Sequence, residues 1–149
     1  MVLAGCVTCS GMGLGTAHAL AGEPEGEPQA KPTREFDAGL LTEFARDGVY
    51  EQFARRERLL VIRKQGRIFV SSSTCTHRNC VVKFSNENNE LRCPCHGSSF
   101  DDTGTILEGP ATISLPRYGV WVRNQRLIVN TNQLFTERNW DKAGAFVEV

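Results

Sequence analysis

Two short boxes constrain this chain more than any other feature: Cys75-Thr76-His77-Arg78-Asn79-Cys80 and Cys93-Pro94-Cys95-His96-Gly97-Ser98. From residue 22 onward, every cysteine and every histidine lies in one of them. Read as ligands, they give Cys-x-His, fifteen residues, then Cys-x-x-His. Thiolate and imidazole are the side chains that hold transition metals. A structural zinc site uses two Cys and two His at similar spacing, but it leaves Cys80 and Cys95 without a role. A plain disulfide framework leaves both histidines unexplained.

The pattern continues past the boxes. Cys75 to Phe100 reads CTHRNCVVKFSNENNELRCPCHGSSF, and DDTGTILEGPATISLP follows. From Leu59 to Asn130 the chain resembles the Rieske iron–sulfur subunits of cytochrome bc complexes, the b6f-type branch in particular. The resemblance implies one Rieske-type [2Fe–2S] cluster, with Cys75 and Cys93 on one iron and His77 and His96 on the other. Two neutral imidazoles in place of two thiolates make the cluster less negative. Its potential then rises from about −400 mV to somewhere between about −150 and +300 mV. The resemblance also implies a disulfide between Cys80 and Cys95, and a proline loop at Gly109-Pro110-Ala111 that covers the cluster from a third side. Ser98 maps to a serine that hydrogen-bonds a bridging sulfide, which stabilises the reduced cluster and raises the potential. In that family an exposed ligand histidine hydrogen-bonds quinol and takes an electron and a proton.

Two positions depart from the family pattern. Phe100 stands where high-potential members have a tyrosine that bonds a ligand sulfur, so a lower potential is expected. Arg78-Asn79 replaces the Leu-Gly of the loop tip that enters the quinol pocket. Burying a charge there is costly. The expectation is an acid on the partner surface, a partner other than a standard quinol site, or an Arg78 that points sideways into solvent.

Residues 1–21 carry no charge, although the chain has 17 basic and 17 acidic residues. Ala19-Leu20-Ala21 is an A-x-A-like cleavage site. The mild apolar stretch before it resembles that of a twin-arginine (Tat) export signal without the arginine pair, which places a true start upstream of Met1 among the expectations. An uncleaved membrane anchor and a lipobox at Leu3-Ala4-Gly5-Cys6 are the alternatives. Residues 22–32 are rich in Pro, Gly and Glu and read as a flexible acidic linker. Export to the periplasmic side of the membrane agrees with a disulfide, leaving a protein either soluble after cleavage near Ala21 or anchored by its N-terminus.

Residues 33–149 read as one all-β domain. The resemblance makes it a Rieske fold: an antiparallel β-sandwich base with an inserted cluster-binding subdomain at about 72–112. Hairpins are expected at Leu59–Arg63 with Arg67–Val70 and at Gly119–Arg123 with Arg126–Asn130. A further hairpin, Val81–Phe84 with Glu90–Arg92, joins the two boxes, and a strand starts at Thr105. Between Leu40 and Arg56 a turn and a strand are favoured over a helix. Trp121, Phe69 and Phe84 are assigned to the core. Phe135, Trp140 and Phe146 are expected to pack the tail across the domain or to meet a partner.

Zero net charge gives no reason to expect nucleic acid or an anionic membrane surface as a partner. The leading expectation is a one-electron carrier, the iron–sulfur subunit of a quinol:cytochrome c oxidoreductase. Its partners would be quinol, a cytochrome b and a c-type cytochrome. The alternatives are the small Rieske subunit of an exported molybdenum enzyme such as arsenite oxidase, beside a molybdopterin subunit, and a soluble Rieske ferredoxin. A Rieske oxygenase needs a second iron site with two His and a carboxylate, and outside the boxes only His18 remains. The chain therefore carries no complete catalytic site alone.

Overall fold

The computed structural model describes residues 34–149. The readings for residues 1–21 and 22–32 lie outside the described residues. Within them the regular structure is antiparallel strands and two short 3₁₀ turns, Leu41–Phe44 and Glu137–Asn139, with no α-helix. No helix there is long and apolar enough to cross a membrane.

The larger sheet has seven strands: β1 (Glu35–Leu40), β2 (Gly48–Tyr50), β3 (Leu59–Lys64), β4 (Arg67–Ser72), β9 (Arg117–Arg123), β10 (Arg126–Phe135) and β11 (Val147–Glu148). Its order is β1-β10-β9-β4-β3-β2, with β11 paired to β4. A four-stranded sheet is made by β5 (Lys83–Ser85), β6 (Glu90–Arg92), β7 (Ser99–Asp101) and β8 (Ile106–Glu108), in that order. It lies in the chain between β4 and β9, and so do both boxes.

Two hairpins follow from turn chemistry. Gln65 and Gly66 link β3 to β4 with φ of 51° and 75°; Asn124 and Gln125 link β9 to β10 with φ of 52° and 62°. Two successive residues at positive φ match the twist of the flanking strands. β3 explains its own composition. Leu59, Leu60, Val61 and Ile62 form an unbroken apolar run, and all are buried. Alternate side chains leave a strand on opposite faces, so Leu59 and Val61 enter one core with Ile68, Val70, Val120, Leu127 and Val129. Leu60 and Ile62 enter a second core with Phe69, Val82, Leu91, Phe100, Leu115, Cys75 and Cys93. The first core is enclosed by the curled large sheet. The second seats the small sheet, and the boxes with it, on the outer face of β3 and β4.

Polar contacts lock the β7–β8 turn onto the large sheet. Lys64 Nζ lies 2.6 and 2.7 Å from the two Asp102 carboxylate oxygens. Leu115 N donates to Gly104 O at 2.8 Å. Arg117 is buried between the rings of Phe69, 3.6 Å away, and Trp140, 4.0 Å away, and donates to Thr103 O. Burial pushes the Arg117 guanidinium down to about 10 while nearby Asp101 opposes this, so it stays charged at neutral pH.

The turn and strand favoured between Leu40 and Arg56 form: a 3₁₀ turn at Leu41–Phe44, anchored by fully buried Phe44, and then β2. The strand ends at Tyr50, and the segment after it turns back. Other elements differ from the sequence reading. Trp121 is only partly buried and belongs to neither core, because it stands near the exposed end of β9, next to Val122 and Arg123. β1, β7 and β11 carry no strong alternation and were not expected. The tail packs on the domain: Phe135 is buried and Phe146 lies under Arg67, 4.3 Å from its guanidinium.

Candidate metal centre

The two boxes fold as matching loops. In the first, Cys75 N donates to Cys80 O at 2.8 Å and Asn79 N to Cys75 O at 3.0 Å. In the second, Cys93 N donates to Ser98 O at 2.8 Å and Gly97 N to Cys93 O at 3.1 Å. The fifth residue of each loop turns through positive φ, 60° at Asn79 and 81° at Gly97. Asn and Gly are the residues that adopt this region at low cost. Each loop therefore starts on a cysteine and turns at the same step. Cys75 and Cys93 are buried free thiols.

The loops face each other. The rings of His77 and His96 meet edge to face with centroids 4.9 Å apart. His77 is half-buried and His96 exposed. Cys80 and Cys95 are joined by a disulfide with Cα atoms 6.5 Å apart. The Sγ atoms of Cys80, Cys93 and Cys95 lie within 4.8 Å of one another. Two of these sulfurs are spent on each other, so this trio is no metal site; the contact sets the disulfide beside the Cys93 thiol. Burial pushes the Cys93 thiol up, against the pull of the Cys95 and His96 N–H groups, and a hydrogen bond with Cys75 adds to the rise. Burial therefore favours the neutral thiols, and a bound cation is what would stabilise the thiolate form here.

The second ring of contacts organises the loops. Ser98 is fully buried and its Oγ accepts from Ala111 N at 2.9 Å, which leaves its own proton to donate. Ala111 is the buried end of the Gly109-Pro110-Ala111 segment, whose Gly109–Pro110 bond is cis. Gly109 and Pro110 are exposed. Thr76 Oγ1 donates to Ile113 O at 2.7 Å and ties the first box to the same segment. Phe100 is fully buried on β7 and shares a core with Cys75 and Cys93. Arg78 and Asn79 are exposed at the loop tip, and Arg58 reaches Asn79 O at 3.4 Å. Arg78 points into solvent, with no ion pair among the described residues. The sequence reading placed Ala111 in the proline loop without its contact to Ser98, and it missed Thr76 and Arg58. Thr76 sits inside the first box, so its position was a signal; Arg58 reaches Asn79 O with its guanidinium from 21 residues away and had none.

The donor set suits an iron–sulfur cluster. Two buried thiols and two imidazoles converge, and Nδ1 of His77 is buried with no hydrogen-bond partner. An orphaned buried nitrogen costs about 1–3 kcal/mol, a penalty that a bound metal removes. Cys75, Cys93, His77 and His96 would hold the cluster.

An all-β antiparallel fold that carries two such loops on an inserted sheet defines a class of electron-transfer domain. The sequence pattern of the Rieske [2Fe-2S] domain matches residues 20–119, so the chain belongs to that family and its cofactor is one Rieske-type [2Fe–2S] cluster. It is 31% identical over 101 residues to the cytochrome b6-f complex iron-sulfur subunit of Chlorobaculum thiosulfatiphilum, covering 67% of this chain and 55% of that subunit. It is 42% identical over 59 residues to the corresponding subunit of Synechococcus sp. (strain CC9605), covering 40% of this chain and 33% of that one. The chain thus spans between a third and about half of these relatives. The crystal structure of the cyanobacterial plasma membrane Rieske protein PetC3 from Synechocystis PCC 6803 is similar with a TM-score of 0.53 and 30% identity, covering 64% of this chain and 99% of that one.

Proposed function

We propose that this chain is a one-electron carrier, the Rieske subunit of a quinol-oxidising bc-type complex that passes electrons toward a c-type cytochrome. The observation that carries this reading is the paired imidazole edge: His77 and His96 meet at 4.9 Å where the two loops converge, with His96 exposed. When bound, the cluster supplies a one-electron acceptor and donor in the range of about −150 to +300 mV. The residues do the rest. Cys75 and Cys93 are sunk in the apolar core, which excludes water from the thiolate side. The disulfide and the Ser98–Ala111 contact hold both loops at fixed separation. An exposed His96 is placed to meet a partner. The similarity to b6-f iron-sulfur subunits supports the same reading.

A second placement rests on Arg78. Its exposed charge at the tip of the first loop, with no ion pair among the described residues, suits an exported oxidoreductase, such as a molybdenum enzyme, better than an apolar quinol pocket. We place the protein on the exported side of the membrane, where the Cys80–Cys95 bridge persists.

A redox titration of the purified protein, with its reduced-state EPR signal followed at several pH values, tests the reading. A midpoint above roughly +100 mV that falls as pH rises supports quinol chemistry coupled to histidine protonation. A midpoint near or below about −100 mV, flat with pH around neutrality, would overturn it in favour of a ferredoxin-like carrier.

A further inference from the structure

A groove of about 610 Å³ runs beside the two loops. Val81 and the Cys80–Cys95 bridge give it an apolar floor, and Arg55, Arg58 and Lys83 form its rim. All three cations are exposed. The ion pairs of the described residues all lie elsewhere. Glu51 is the acid on the lining, and its carboxylate is turned to Phe84 N at 2.9 Å. Three cations against one carboxylate leave the groove at +2 on a chain of zero net charge. Its backbone is also unusual. Arg58 sits at φ 60°, where a long side chain is uncommon, and from there it braces Asn79 O at the loop tip. Asn79 and Pro94 line the groove and stand two residues from His77 and His96 in the sequence. An occupant would therefore lie against the tips of both histidine-bearing loops.

We propose that this groove docks an acidic, protruding segment of a redox partner protein. Carboxylates of that segment meet Arg55 and Lys83, and an apolar side chain rests on Val81 and the disulfide. The proposal rests on the electron-carrier reading above and names the chemistry of its partner. The concave shape decides between two anionic surfaces. A flat bilayer touches only the rim, whereas a chain segment reaches the apolar floor. With no net charge to act at long range, attraction arises from this local field, which steers encounter and selects the partner by charge.

The test uses the holoprotein and two forms of one probe: mitochondrial cytochrome c in its native basic form, and the same protein succinylated on its lysines to an acidic surface. Binding is measured by surface plasmon resonance. At an ionic strength of about 0.01 M, where the Debye length is about 30 Å, the acidic form should bind at least roughly tenfold more tightly than the basic form. At about 1 M, where the Debye length is about 3 Å, the difference should vanish. The double variant Arg55→Glu/Lys83→Glu should lose that preference while keeping the reduced-state EPR signal, which shows that the fold and the centre are intact. Equal binding of both forms, or a preference that survives in the double variant, would overturn the proposal. So would equal binding of both forms combined with sedimentation on phosphatidylglycerol vesicles that the double variant abolishes, which would assign the cations to lipid. The midpoint titration involves no protein partner, so failure of the carrier reading and failure of the groove remain distinguishable.

Discussion

Removing the Cys80–Cys95 bridge measures how far the facing loops depend on it. The bridge spans 15 residues of sequence, and the chain-entropy cost of closing such a loop in the unfolded state is about 3 kcal/mol. The β5–β6 hairpin lies inside that loop but is only three residues per strand, so it constrains the unfolded chain little. In a domain of this size each kcal/mol shifts Tm by roughly 3–6 °C, so the loss should lower Tm by about 10 °C or more. Changing Cys80 alone would free the Cys95 thiol within 4.8 Å of the Cys93 sulfur, where it competes as a ligand. The double variant Cys80→Ser/Cys95→Ser avoids this. The assay is thermal bleaching of the visible chromophore in oxidising buffer, with wild type in excess reductant as a parallel sample. Because Cys95 is exposed, reduction should reproduce the variant. A shift of less than about 3 °C would refute the argument and show that the base contacts at Ser98 and Thr76 hold the loops unaided.

Four further outcomes are expected. Phe100→Tyr should raise the midpoint potential if its hydroxyl reaches a ligand sulfur; with no acceptor, the buried hydroxyl should instead cost about 1–3 kcal/mol with no change in potential. His77→Cys should give at best a cluster of much lower potential, toward about −400 mV, and an unchanged value would contradict its role as a ligand. Ser98→Ala should lower the potential and, by orphaning Ala111 N, should cost about 1–3 kcal/mol in urea unfolding; retention of both values would separate Ser98 from the centre. Asp101 gives a pH test. Burial would raise its carboxyl, but the Thr103 hydroxyl and the Thr105 and Thr103 N–H groups outweigh this and hold it below its usual value. A depressed folded pKa means that stability is present above about pH 4 and is lost as pH falls through the folded value. Asp101→Asn should remove part of that acid sensitivity, and an identical acid unfolding curve would count against it.

The hairpins were legible because their signals are local: apolar runs such as Leu59–Ile62 and Leu127–Val129 beside the turns Gln65-Gly66 and Asn124-Gln125. The candidate donors and their order are read from the sequence for the same reason, since each box is six residues long. β1 was not legible, because its partner β10 lies about ninety residues away and its register breaks between Asp37 and Gly39. Neither was β11, which is two residues long and exists only because β4 offers Ile68 and Arg67 as partners. Trp121 read as core by its type, yet its place near the exposed end of β9 leaves it only partly buried.

The sequence alone determined that two thiols and two imidazoles would be presented in paired loops on an antiparallel scaffold, because spacing and residue type are local properties of the chain. Only the tertiary structure decided which side of the molecule each of them faces. It buried Cys75 and Cys93 while leaving His96 in solvent, closed Arg117 between Phe69 and Trp140, and gathered Arg55, Arg58 and Lys83 beside the loop tips. Those outcomes depend on contacts between distant segments, which a pattern along one chain does not encode residue by residue.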